Sequence, residues 1–131
     1  MSSELQEIIK RSSFTVVDGQ FVYVKVATIS SISNHLMVAQ DNDEITVVTR
    51  EENLRELNIL ERNKDEYALV ALNVSVPFYS VGLLATVSSA IANAGMNILI
   101  ISTYSKDYIM VRVDNLFAAK EVLLSLGFQQ H

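Results

Sequence analysis

Residues 69–113 constrain the fold more than any other stretch. The run 67–76 is apolar except at Asn73 and Ser75, and a strand apolar on both faces belongs in the middle of a sheet. Pro77 follows it. Ser80 can cap a helix over 81–93, and Ala85, Ser88, Ser89 and Ala92 keep that helix flat enough to pack closely on a sheet. Gly95 supplies the left-handed residue that ends a helix. Residues 97–104 and 108–113 then make a hairpin with Ser105-Lys106-Asp107 at its turn. A strand joined by a helix to another strand needs a right-handed crossover, with helices covering one face of an antiparallel sheet. The helix start offers main-chain N–H groups, and no catalytic group stands out beside it. The stretch points to ligand sensing more than to chemistry.

The flanking residues extend this α+β pattern. Leu5, Ile8 and Ile9 share one face of a helix over 4–10, which Ser2 or Ser3 can cap. Asp18-Gly19 reads as a turn. Val22, Val24 and Val26 alternate with Phe21, Tyr23 and Lys25, the pattern of a half-buried strand. After the polar loop 30–34, strands at 36–40 and 44–48 meet at Asp41-Asn42-Asp43. Thr49 and Glu52 match a capping box for a short helix carrying Leu54 and Leu57, on which Glu51 can pair with Arg55. The charged run 61–66 suits a boundary. Asp114 can cap a last helix, with Leu116, Ala119, Leu123 and Leu126 inward and Gly127 at its end.

Hairpin followed by capped helix occurs twice, over 36–57 and 97–126, which suggests a structural repeat. The division expected is an abbreviated unit over 1–63 and a fuller one over 64–131. The second copy reads β-α-β-β-α. Its fourth strand has no clear candidate after Gly127; residues 58–63 are one source, and a very short strand is another.

Composition removes several function classes. At 131 residues, half of them hydrophobic, the chain has material for a core. The net charge of −5, with no basic run longer than Lys10-Arg11, argues against nucleic-acid binding. With no cysteine there is no disulfide, zinc-thiolate site or thiol nucleophile. The start lacks the features of a secretory signal and the longest apolar run is too short to cross a bilayer. A cytoplasmic protein without membrane partners is expected.

Three motifs then carry a resemblance. Val81-Gly82-Leu83-Leu84-Ala85, Asn93-Ala94-Gly95-Met96-Asn97-Ile98 and Ser102-Thr103-Tyr104-Ser105-Lys106-Asp107-Tyr108-Ile109-Met110-Val111 together resemble the ACT domain. They are similar to the regulatory ACT units of aspartokinases and to cytosolic arginine sensors. The resemblance covers residues 66–128. The N-terminal half resembles the smaller ACT-like partner unit of short stand-alone proteins, on strand order and Glu44-Ile45-Thr46-Val47-Val48. It implies tandem ferredoxin-like βαββαβ units with side-by-side sheets, an amino-acid effector, no cofactor and no catalysis. It places the effector at the loop 78–83, facing a strand start such as Asn97-Ile98.

The candidate ligand residues each carry a plainer alternative. Val81, Gly82 and Leu83 offer N–H groups to a ligand carboxylate; alternatively Gly82 only lets the helix pack tightly. Asp107 suits an α-amino group or a basic side chain, and equally a hairpin turn. Ser102, Thr103 and Tyr104 line the same pocket through their hydroxyls or are ordinary strand residues, with Tyr104 packing at an edge. Asn97 bonds an effector or the local backbone, and Ile98 faces the same site. His35 and His131 have no partner at metal-ligand spacing. Asp41, Asp43 and Glu44 lack the glycine and distal glutamate of a calcium loop. A homodimeric amino-acid sensor is the first reading. A ligand-free interaction module that scaffolds a partner enzyme is the second, and a small enzyme of the same fold is the third.

Overall fold

The computed structural model describes residues 1–76 and 79–131. Its elements are α1 (Ser3–Lys10), β1 (Ser13–Val26), β2 (His35–Gln40), β3 (Ile45–Arg50), a 3₁₀ turn (Glu51–Glu56), β4 (Ile59–Arg62) and β5 (Tyr67–Asn73). They continue with α2 (Leu83–Asn93), β6 (Leu99–Ser102), β7 (Asp107–Arg112), a second 3₁₀ turn (Val113–Asn115), α3 (Leu116–Leu126) and β8 (Gln129–Gln130). The chain divides into two units. One joins Met1–Val17 to Ala68–His131; the other is Asp18–Tyr67. The chain thus leaves the first unit inside β1 and re-enters it at β5, where a single cut at 63/64 was expected.

In the first unit the strand order is β1, β5, β7, β6. β6 and β7 pair antiparallel from Leu99↔Met110 to Ser102↔Asp107. Alternate residues of β5 (Ala68, Val70, Leu72) and of β7 (Ile109, Val111) enter one core with Leu83, Val87 and Ile91 of α2, Ala119 and Leu123 of α3, and Leu5 and Ile9 of α1. This is the period-2 strand face meeting the 3.6-period helix stripes. Ser2 caps α1 by accepting the Leu5 N–H at 3.1 Å. Gly95 and Gly127 follow the ends of α2 and α3 at φ 84° and 115°, the left-handed geometry read for them.

The missing strand comes from upstream. Residues 13–17 of β1 lie beside β5, and Asn73 on β5 donates from Nδ2 to Ser13 Oγ (3.3 Å) and Thr15 Oγ1 (3.0 Å). The strand after Gly127 exists but is only β8, which pairs in parallel with Ser13 and Phe14. Residues 58–63 do not serve this unit. β4 pairs antiparallel with Val24, Lys25 and Val26 of β1 in the other unit.

That second unit is built of β2, β3, the later half of β1, and β4. β3 pairs with β1 from Phe21↔Arg50 to Val26↔Ile45, and β2 covers the other side of β3. Val22, Val24, Val26 and Val47 form its core, with Leu54 and Leu57 packed against them.

Five local expectations fail, each to a stronger competing interaction. Asp18-Gly19 does not reverse the chain: Gly19 takes φ 100° within a continuous β1, because ladder partners on both halves of the strand hold it extended. Thr49 is no helix cap. It stays in the β1–β3 ladder opposite Val22, and the 3₁₀ turn begins after Arg50 with no side-chain cap. Glu51 pairs with Arg62 at 2.9 Å rather than with Arg55. Neither Ser80 nor Asp114 caps a helix. Ser80 Oγ donates to the Val76 carbonyl at 2.6 Å, and Asp114 pairs with Arg112 at 3.7 Å.

Candidate functional site

The start of α2 is set by backbone conformation. Gly82 occupies the N-cap at φ 85° without any side-chain capping bond. Its carbonyl accepts the Thr86 N–H at 2.9 Å, and the Leu83 N–H donates to the Ser80 carbonyl at 3.1 Å. Of the amides at Val81, Gly82 and Leu83, the one at Leu83 is therefore already engaged, and the Leu83 side chain is buried in the core. A Cβ placed on Gly82 would meet only Leu5 Cδ2, at 3.8 Å. Tight packing on the sheet is thus not why glycine stands here; the left-handed φ is.

Beside Gly82 lies a cleft of about 330 Å³. One wall is the first turns of α1, with Ser2, Glu4, Leu5 and Ile8. The other is Tyr79, Val81, Gly82 and Thr86. Leu5 and Ile8 are buried and form its floor, whereas Tyr79 (80 % exposed) and Val81 (90 % exposed) stand at the rim. The α1 wall was missed in the sequence. The Leu5–Ile8 stripe signalled a buried helix face, but nothing local says which element that face meets. Phe78, at the start of the expected ligand loop, lies outside the described residues, as does Pro77.

The remaining candidates do not line this cleft. Ser102 Oγ donates to Asp107 Oδ1 at 2.5 Å across the last rung of β6 and β7. Thr103 closes the turn through its N–H and Oγ1, both donating to the Lys106 carbonyl at 2.8 and 3.3 Å. Ile98 is half-buried against the core, and Asn97 is exposed. Val81 and Gly82 alone of the proposed set border the cleft. Among the described residues no three His, Cys, Asp or Glu side chains converge as a metal site, and no helix is long and apolar enough to cross a membrane.

Residues 63–125 match the ACT domain family. This segment is an ACT domain. It runs from the end of β4 through most of α3, so the ACT segment includes Gly82 but not α1. The whole chain is similar in fold to a protein of unknown function from Vibrio cholerae described as a possible transport protein (TM-score 0.77, 20 % identity, 95 % of this chain and 96 % of that one). It is similar to an Agrobacterium tumefaciens protein (TM-score 0.69, 15 % identity, 92 % of each chain). It is also similar to the ligand-free regulatory subunit of aspartate kinase from Thermus thermophilus (TM-score 0.59, 13 % identity, 88 % of this chain and 95 % of that one). No curated protein matches the sequence. The α+β architecture around the ACT segment is the ferredoxin-like ACT fold.

Proposed function

We propose that this chain is a regulatory protein that binds an amino acid and performs no chemistry of its own. The observation that carries the reading is the cleft at Gly82, in the ACT segment, with the loop preceding α2 as one wall. Its size falls at the lower end of the range for small-molecule clefts. Among the described residues that line it, Glu4 is the one acidic or basic side chain, whereas acid–base catalysis calls for a positioned, matched pair. The regulatory subunit of aspartate kinase, similar in fold, supports a regulatory role.

The same reading extends to assembly. The Asp18–Tyr67 unit serves as the abbreviated ACT-like partner, and the protein works in the cytoplasm as a homodimer. β6 ends the strand order and turns Ile100 outward, 41 % exposed, and an open edge of this kind invites pairing with a second copy. Effector binding would favour one conformation of the protein by its differential affinity for the two states.

Thermal denaturation against each standard amino acid tests the core of the proposal. A ligand at about 100 times its Kd adds roughly 2.7 kcal/mol, equivalent to a rise of several degrees for a domain of this size. No stabilisation by any amino acid at about millimolar concentration, where most effectors would saturate, overturns it.

A further inference from the structure

We infer that α1, which lies outside the ACT segment, selects the effector at this cleft. The effector class is an amino acid with an uncharged apolar side chain, its ammonium held by Glu4. This rests on the binding function proposed above and goes further by naming the ligand class and the residues that choose it.

Charge is the first argument. Among the described residues that line the cleft, Glu4 has the only side chain with a formal charge. It has no ion-pair partner among the described residues, unlike Glu7 on the same helix, which holds Lys10 at 3.6 Å. A free carboxylate at the edge of a small cleft attracts an ammonium and repels an acidic side chain. Among the described lining residues there is no second carboxylate to receive a basic side chain, so lysine and arginine would leave a charge unpaired there.

Surface chemistry is the second. The floor is Leu5 and Ile8, and the rim is Tyr79 and Val81, both largely exposed. With Met1, which also lines the cleft, five apolar side chains among the described residues surround one hollow and gain by covering an apolar ligand, the term that drives such association. The polar complement is short. Ser2 Oγ accepts the Leu5 N–H but keeps its own proton, so it and the half-buried Thr86 hydroxyl can donate to the ligand carboxylate. The Glu4 carboxylate on one side and the Ser2 and Thr86 hydroxyls on the other match the two ends of a zwitterion.

Calorimetric titration of the full chain with L-leucine, L-methionine, L-phenylalanine, L-lysine and L-glutamate tests this. At least one of the three apolar amino acids should bind about tenfold or more tightly than lysine and glutamate. Glu4→Gln should weaken that ligand by about tenfold, the usual consequence of losing a charge-assisted hydrogen bond. Val81→Ser should weaken it severalfold while leaving the denaturation midpoint unchanged, since Val81 is 90 % exposed. If lysine or glutamate binds tightest, or if an apolar amino acid binds the Glu4→Gln variant unchanged, the assignment of class and residue is overturned while effector binding stands. If no standard amino acid binds the native chain, both fall.

Discussion

Replacing Gly82 by alanine separates two reasons for glycine at the mouth of the cleft. The added Cβ would have a single neighbour within 4 Å, Leu5 Cδ2 at 3.8 Å, an ordinary contact. Steric repulsion therefore contributes nothing, and the cost is that of holding an L-residue at φ 85°. The left-handed conformation costs about 1–2 kcal/mol, partly offset by the lower entropy of the unfolded alanine chain, about 0.4–1 kcal/mol. A net loss of about 1 kcal/mol follows.

Gly95 is the internal control. It has φ 84° with nothing within 4 Å, so Gly95→Ala should cost the same to within a few tenths of a kcal/mol. Gly19→Ala should cost more. Its Cβ would lie 3.1 Å from Arg50 Nε, so that side chain must shift by a few tenths of an ångström over the Phe21 ring, whose centroid is 5.7 Å from the guanidinium carbon. The added loss is at most about 0.5–1 kcal/mol, the whole of an exposed cation–π contact. Urea denaturation with the slope unchanged is the assay. The Gly82 and Gly95 variants should each melt about 4 °C lower. A loss above about 3 kcal/mol at Gly82 alone would refute the reasoning, because strain of this size cannot account for it. So would no loss at either position.

Two buried positions give further tests. Thr49 is fully buried, and its Oγ1 lies 2.9 Å from His35 Nδ1, accepts from Asn53 Nδ2 at 3.1 Å and donates to the Asn34 carbonyl at 3.3 Å. Thr49→Val keeps the shape and strips all three partners, for an expected loss of about 1–3 kcal/mol; equal urea midpoints for variant and native chain would contradict it. Ile91 of α2 is fully buried in the core of the first unit, so Ile91→Ala should cost about 2–5 kcal/mol by calorimetric unfolding, and a loss below about 1 kcal/mol would mean that the core closes over the gap.

The elements legible in the sequence are those specified by neighbouring residues. The alternation of Val22, Val24 and Val26 marked a strand face, and the spacing of Leu5, Ile8 and Ile9 marked a helix face. Gly95 and Gly127 marked helix ends, and the β6–β7 hairpin followed from its turn. Ligand residues were read less completely: Val81 and Gly82 border the cleft, but Glu4, Leu5 and Ile8 were visible only as a helix with a buried stripe.

Local chemistry dictated where strands and helices form and where glycine had to end them, because φ preferences and side-chain periodicity act over a few residues. Partnership was decided in three dimensions. β1 serves both units, residues 13–17 fill the slot beside β5, β4 joins β1 at Val24, Lys25 and Val26, and α1 walls the cleft at Gly82. Each of these joins residues far apart in the chain, and the result depends on which edge or apolar face is still uncovered when the others have packed. That competition also explains why Thr49, Ser80 and Asp114, each suited to capping a helix, act elsewhere: a ladder position or a nearer partner took precedence over the local motif.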